Sequence, residues 1–157
     1  MKLSTREDIE VPLAKVFADF ADVEAWERAA LRRGADVTRT DSLGAIAPGM
    51  AWHTIFDYRG KPRDMVVTLA EIDAPHRLVF TGTSGSVDGT MTVEFLELGA
   101  RRTRVTIGTE IKPRTLSARL FLQSLKLAKT KIKTRYDDRV AKLCADIEDR
   151  HRAAPRR

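Results

Sequence analysis

Residues 101–136 read RRTRVTIGTEIKPRTLSARLFLQSLKLAKTKIKTRY, and the period of the apolar pattern changes inside them. Up to Ile111, the residues Val105, Ile107, Thr109 and Ile111 share one face while Thr106 and Glu110 share the other, the period of two of a half-buried strand. From residue 115 to 150 there is no Gly or Pro, and the segment reads as one helix of about 50 Å at 1.5 Å per residue. At 100° per residue, Phe121, Leu125, Ile132, Tyr136, Leu143 and Ile147 fall on one stripe. A helix this long with one apolar stripe must bury it, and its one partner is the apolar face of a sheet.

That sheet is legible upstream. Period-two stretches lie near 35–41, 50–59, 63–73, 77–83, 88–98 and 101–111. They are separated by Pro48-Gly49, Arg59-Gly60-Lys61-Pro62, Asp73-Ala74-Pro75, the Gly82 to Gly89 stretch and Gly99. Connections this short join antiparallel neighbours, so the strands form a meander. The face expected to be buried carries Trp52, Thr54, Phe56 and Tyr58; Val67 and Leu69; Leu78 and Phe80; Met91, Val93 and Phe95; and Val105 to Ile111 in alternation. His53, Asp57, Thr92, Glu94, Thr106 and Glu110 are expected to face outward. Residues 2–11 form a further strand, with Leu3, Thr5, Glu7, Ile9 and Val11 on one face. Pro12 suits a first helical turn, and Leu13, Val16, Phe17 and Phe20 follow at helical spacing over 12–21. Asp22 caps a second short helix with Val23, Trp26 and Ala30, which Gly34 ends.

The bulk properties fit one domain, placed at 1–150, followed by a basic tail at 151–157 that is expected to be disordered. The chain has 157 residues, 43% of them apolar and 32% charged, and its single cysteine, Cys144, excludes an internal disulfide. A lone cysteine and an N-terminus without an apolar signal core lead to the expectation of a cytoplasmic protein. No apolar run approaches the roughly 20 residues that span a bilayer. The net charge of +6 is unevenly spread. From Ile111 to Tyr136 every charged residue is basic, whereas the first thirty residues are rich in Asp and Glu.

The order of a strand, two small helices, a six-strand meander and a long helix resembles the helix-grip superfamily. This superfamily is also called START/Bet v 1-like (SRPBCC), or the polyketide cyclase/dehydrase and lipid-transport group. The residues that carry the resemblance are Ile9-Glu10-Val11-Pro12 with Val16-Phe17, Asp22 through Trp26, Pro75-His76-Arg77-Leu78-Val79-Phe80, and Thr103-Arg104-Val105-Thr106-Ile107. They are spread over nearly the whole chain. The resemblance implies an α+β helix-grip fold: a curved antiparallel sheet of about seven strands, two short helices, and a long C-terminal helix over the concave face. It also implies a cavity between sheet and helix that takes lipids, polyketides, hormones or other apolar molecules. Some members catalyse cyclisation or related reactions there; fold alone does not choose among these activities.

The expected cavity residues are the polar Glu7, Thr54, Tyr58, Thr109 and Tyr136 among Trp52, Phe56, Phe80, Met91, Val93, Phe95 and Ile107, with Phe121, Leu125, Lys129 and Ile132 from the helix. Each aromatic is equally readable as plain core. Lys129 either holds an acidic ligand group at the cavity mouth or snorkels into water. Glu7 is a buried acid with a raised pKa, an ion-pair partner of a nearby Arg, or a residue at a wet strand end. His53 and Asp57 do not form a dyad, since i and i+4 on a strand lie about 13 Å apart. No metal-ligand spacing, P-loop, nucleophile elbow or dinucleotide fingerprint is present, and no cofactor is implied.

Binding of a hydrophobic or amphipathic small molecule is therefore the first reading. A cyclase- or dehydratase-type enzyme on such a ligand is the second, and a membrane- or protein-associated adaptor the third. Leu116, Leu120 and Leu127 form a second stripe on the helix, amid Arg119, Lys126 and Lys131. It reads as a homodimer contact, as packing under a loop, or as a peripheral contact with an anionic membrane. Nucleic acid is disfavoured, because the basic stretch has no aromatic stacking surface and no recognisable reading module.

Overall fold

A computed structural model describes residues 1–153. The strands are β1 (Lys2–Ile9), β2 (Asp36–Arg39), β3 (Ala51–Tyr58), β4 (Lys61–Asp73), β5 (Arg77–Thr83), β6 (Val87–Gly99) and β7 (Arg102–Pro113). Between β1 and β2 lie α1 (Leu13–Phe20) and α2 (Val23–Arg32); after β7 come α3 (Leu116–Leu125), a 3-10 turn at Lys126–Ala128, and α4 (Lys129–Ala153). The seven strands form one antiparallel sheet in the order β1-β7-β6-β5-β4-β3-β2. Register shifts at Leu69/Glu71 and Glu97/Gly99 are the irregularities that bend such a sheet. The α+β helix-grip architecture read from the sequence is the one observed.

Local chemistry sets the boundaries. The Asp22 carboxylate accepts from the Ala25 amide at 3.1 Å and opens α2, which closes at Gly34 in a left-handed conformation (φ +86°). The Thr115 hydroxyl accepts from the Ala118 amide at 3.1 Å and opens α3. Residues 151–153 continue α4, and His151 Nε2 lies 2.7 Å from an Asp19 carboxylate oxygen on α1. The rest of the expected tail, 154–157, lies outside the described residues.

The core fills one end of the concave face. Val16 and Phe20 of α1 meet Trp52, Leu69, Leu78, Val93, Phe95 and Val105 of the sheet and Val140, Cys144 and Ile147 of α4. The Phe17 and Phe20 rings stand edge-on to Phe95 at 5.5 and 5.2 Å. Thr103 is fully buried, its hydroxyl donating to the Val11 carbonyl at 2.8 Å.

Two details differ from expectation. The terminal helix is interrupted by the 3-10 turn although no Gly or Pro marks the place. Its most buried positions are Ala118, Leu122, Val140, Cys144 and Ile147, a stripe that shares Ile147 with the expected one but is rotated from it by roughly 55°. The reason is where the helix lies. It follows the β1 edge of the sheet: the Glu10 amide donates to Glu148 at 3.0 Å, and the Tyr136 hydroxyl donates to the Ile107 carbonyl at 3.2 Å. The flank towards β1 is sealed, whereas Phe121, Leu125, Ile132 and Tyr136 are only half-buried.

Candidate functional site

Packing at one end leaves the other end of the concave face uncovered, and an open cleft of about 620 Å³ lies there. Its walls come from three places: the β3–β4 hairpin, the β5–β6 turn and the first turns of α3. Phe56, Tyr58, Met65 and Val87 supply apolar surface from the strands, and Ala118 and Phe121 supply it from α3.

Met65, in the lining, is seated against a glycine of the sheet. Gly82 on β5 stands directly opposite Gly89 on β6 in the strand register. A Cβ on Gly82 would meet Met65 Sδ at 3.0 Å, so Met65 lies across that glycine. A Cβ on Gly89 would meet nothing closer than the Glu110 carbonyl at 3.7 Å.

Local geometry and hydrogen bonds shape the rim. The β3–β4 connection is two residues long, and both Arg59 (φ +53°) and Gly60 (φ +75°) are left-handed, as a tight hairpin turn requires. Arg59 accepts the strain of that conformation while its guanidinium lies 4.7 Å from the Phe121 ring centre and 5.7 Å from that of Tyr58. Across the cleft, the Ser84 hydroxyl oxygen accepts from the Val87 and Ser86 amides at 3.1 and 3.3 Å. This turn is tied to the start of α3 by Arg114, whose amide donates to the Ser86 carbonyl and whose guanidinium donates to the Ser84 carbonyl, both at 2.8 Å.

The rim is also basic. Arg59 and Arg63 line the cleft and make no salt bridge among the described residues. The acid in the lining, Asp64, is 2.7 Å from His53 Nε2. Two guanidiniums above an apolar floor suit a molecule with an apolar body and an anionic end. Hydroxyls of Tyr58, Ser84, Ser86 and Ser117 add neutral hydrogen-bonding groups.

Of the residues expected at a cavity, Phe56, Tyr58 and Phe121 line the cleft. Trp52, Val93, Phe95 and Ile107 are buried in the core, and Phe80 packs against it. The Trp52 indole donates to Glu27 at 2.9 Å. Thr109 and Tyr136 hydrogen-bond to each other at 3.0 Å, and the Thr54 hydroxyl donates to the Met65 carbonyl. Met91 shares the concave face but is 42% exposed, because no helix covers that part of the sheet. Leu125 and Ile132 are half-buried on the terminal helix, and Lys129 is exposed at the start of α4. Glu7 lies at the opposite end of the molecule. Burial, and after it the nearby charges of Glu7 and Glu148, pushes the Cys144 thiol there up to about 12.

Arg59, Arg63 and Met65 carry no signal in the sequence that marks them as site residues. Arg59 lies in, and Arg63 beside, a turn that reads only as a hairpin loop, and the seating of Met65 on Gly82 emerges only once β4 and β5 are in register. The partner of His53 is not Asp57 on its own strand but Asp64 on the neighbouring one, reached diagonally across β3 and β4. Among the described residues no group of three or more His, Cys, Asp or Glu is placed to hold a metal ion. No described helix is long and apolar enough to cross a membrane.

Residues 1–148 match the family described as polyketide cyclase / dehydrase and lipid transport. A search among curated proteins finds no match. Solved structures of similar fold include TTHA0849 from Thermus thermophilus, with 16% identity, a TM-score of 0.66, and 94% of this chain and 97% of that one covered. The Zhui aromatase/cyclase from Streptomyces sp. R1128 has 12% identity and a TM-score of 0.67 over 98% of this chain and 96% of its own. Norcoclaurine synthase from Thalictrum flavum, solved in complex with dopamine and hydroxybenzaldehyde, has 12% identity and a TM-score of 0.68 over 100% of this chain and 89% of its own. At these identities the likeness is one of fold.

Proposed function

Because the chain belongs to the polyketide cyclase/dehydrase and lipid-transport family, we propose that it binds a hydrophobic or amphipathic small molecule in the cleft beneath α3. The apolar body of the ligand lies over Met65, against Phe56 and Phe121. An acidic group at its other end meets Arg59 and Arg63. The observation that carries this reading is the cleft itself: about 620 Å³, apolar in floor and walls, with two guanidiniums free of salt bridges at the rim. That volume lies within the roughly 300–1,000 Å³ of small-molecule sites.

Two measurements test it. Native mass spectrometry of the purified protein should show a co-purifying small molecule. Titration with 1-anilinonaphthalene-8-sulfonate, an aromatic anion, should saturate at one site and weaken when Arg63 is replaced by Gln. A protein that carries no small molecule and binds the probe without saturation would overturn the reading.

A further inference from the structure

Leu116, Leu120 and Leu127 are 70%, 57% and 92% exposed. At helical spacing all three lie on one face of α3 and the turn after it, opposite the buried Ala118 and Leu122. Arg119 and Lys126 flank this face on one side and Lys131 on the other. None of the three makes a salt bridge among the described residues, and no acidic residue occurs between Ile111 and Tyr136. Three exposed leucines on one helix face inside a basic frame are not a surface that water favours.

We propose that this face of α3 docks on an anionic lipid bilayer. The leucines enter the boundary between headgroups and acyl chains, about 5–10 Å deep for such helices, with the lysines and the arginine at the level of the lipid phosphates. Each basic residue near an anionic surface strengthens the attraction about fivefold. A second copy of this chain fits the face badly. Pairing it with itself would set Arg119, Lys126 and Lys131 near their own counterparts with no acid in the segment to neutralise them. A nucleic acid would satisfy the charges and leave the leucines in water.

The position of the face gives docking a purpose. The inner side of the same helix lines the cleft with Ser117, Ala118 and Phe121. A bilayer in contact with the outer side therefore lies one helix away from the bound molecule, a short path for an apolar ligand. This last step rests on the ligand-binding reading; docking itself rests on the helix surface alone.

Flotation of the full chain with vesicles decides it. The protein should float with vesicles that contain phosphatidylserine and remain behind with pure phosphatidylcholine. Salt should weaken the association. Replacing Leu116, Leu120 and Leu127 together by Ser should lower the bound fraction about tenfold or more, and Lys126→Glu with Lys131→Glu should do the same. Absence of binding at low salt, or wild-type binding by the leucine variant, would overturn the proposal. So would a dimer in light scattering that the leucine variant dissociates, which would assign the face to a second copy. Titration of the same variant with 1-anilinonaphthalene-8-sulfonate keeps the two readings apart. Lost flotation with retained probe binding marks the docking face, whereas flotation by a wild type that binds no probe would defeat the cleft reading and leave docking standing.

Discussion

The guanidinium of Arg59 lies 4.7 Å from the ring centre of Phe121, so the tip of the β3–β4 hairpin is joined to α3 across the mouth of the cleft. The two residues are distant in sequence, and their contact is held by a residue in a left-handed conformation that glycine would adopt more easily.

Arg59→Gly relieves a strain of about 1–2 kcal/mol and removes a cation–π contact of about 0.5–1 kcal/mol at an exposed site. With the terms opposed, the melting temperature should change little while the bound probe leaves faster. Stopped-flow dissociation of 1-anilinonaphthalene-8-sulfonate measures the second effect. An unchanged off-rate would reduce the contact to surface packing.

Thr103→Val keeps the shape of a fully buried side chain but strips the Val11 carbonyl of its hydroxyl donor. Leaving such a group unsatisfied costs about 1–3 kcal/mol. Urea unfolding should show a lower midpoint with an unchanged slope. A loss below about 0.5 kcal/mol would mean that water or another donor replaces the hydroxyl.

Cys144 supplies the pH prediction. Its buried thiol, pushed up to about 12, stays protonated in the folded protein where an unfolded thiol, near 9.0, ionises. Above pH 9 the unfolded state therefore binds fewer protons, and stability falls with rising pH until the folded thiol itself titrates near 12. Comparison with Cys144→Ala isolates this loss, since the variant should decline less steeply through the same window. Thiol reagents should likewise label Cys144 at the rate of unfolding. Rapid labelling of the native protein would contradict the burial.

Much of the fold is open to sequence reading because its signals are local. Alternation over 50–59 and 101–111 identifies β3 and β7, and Asp22 and Gly34 mark both ends of α2. The same alternation does not say which concave residues are sealed. Val93 and Met91 share one face of β6, yet the first is buried under helices and the second is exposed beyond their reach. Nor does it find the 3-10 turn at Lys126–Ala128, which no glycine or proline announces.

By itself, then, the sequence determined the element order, the antiparallel sheet and its two faces, since each follows from spacing within a single segment. It also determined the acid-free run from Ile111 to Tyr136 that makes one helix basic. Tertiary structure alone decided where the cleft lies. With α1 and the end of α4 packed around Phe95 at one end, the other end stayed open, and Arg59, Arg63, Met65 and Phe121 came together there. Their proximity arises from strand register and from the line along which the helix meets the sheet edge, and neither is written in any one segment of the chain.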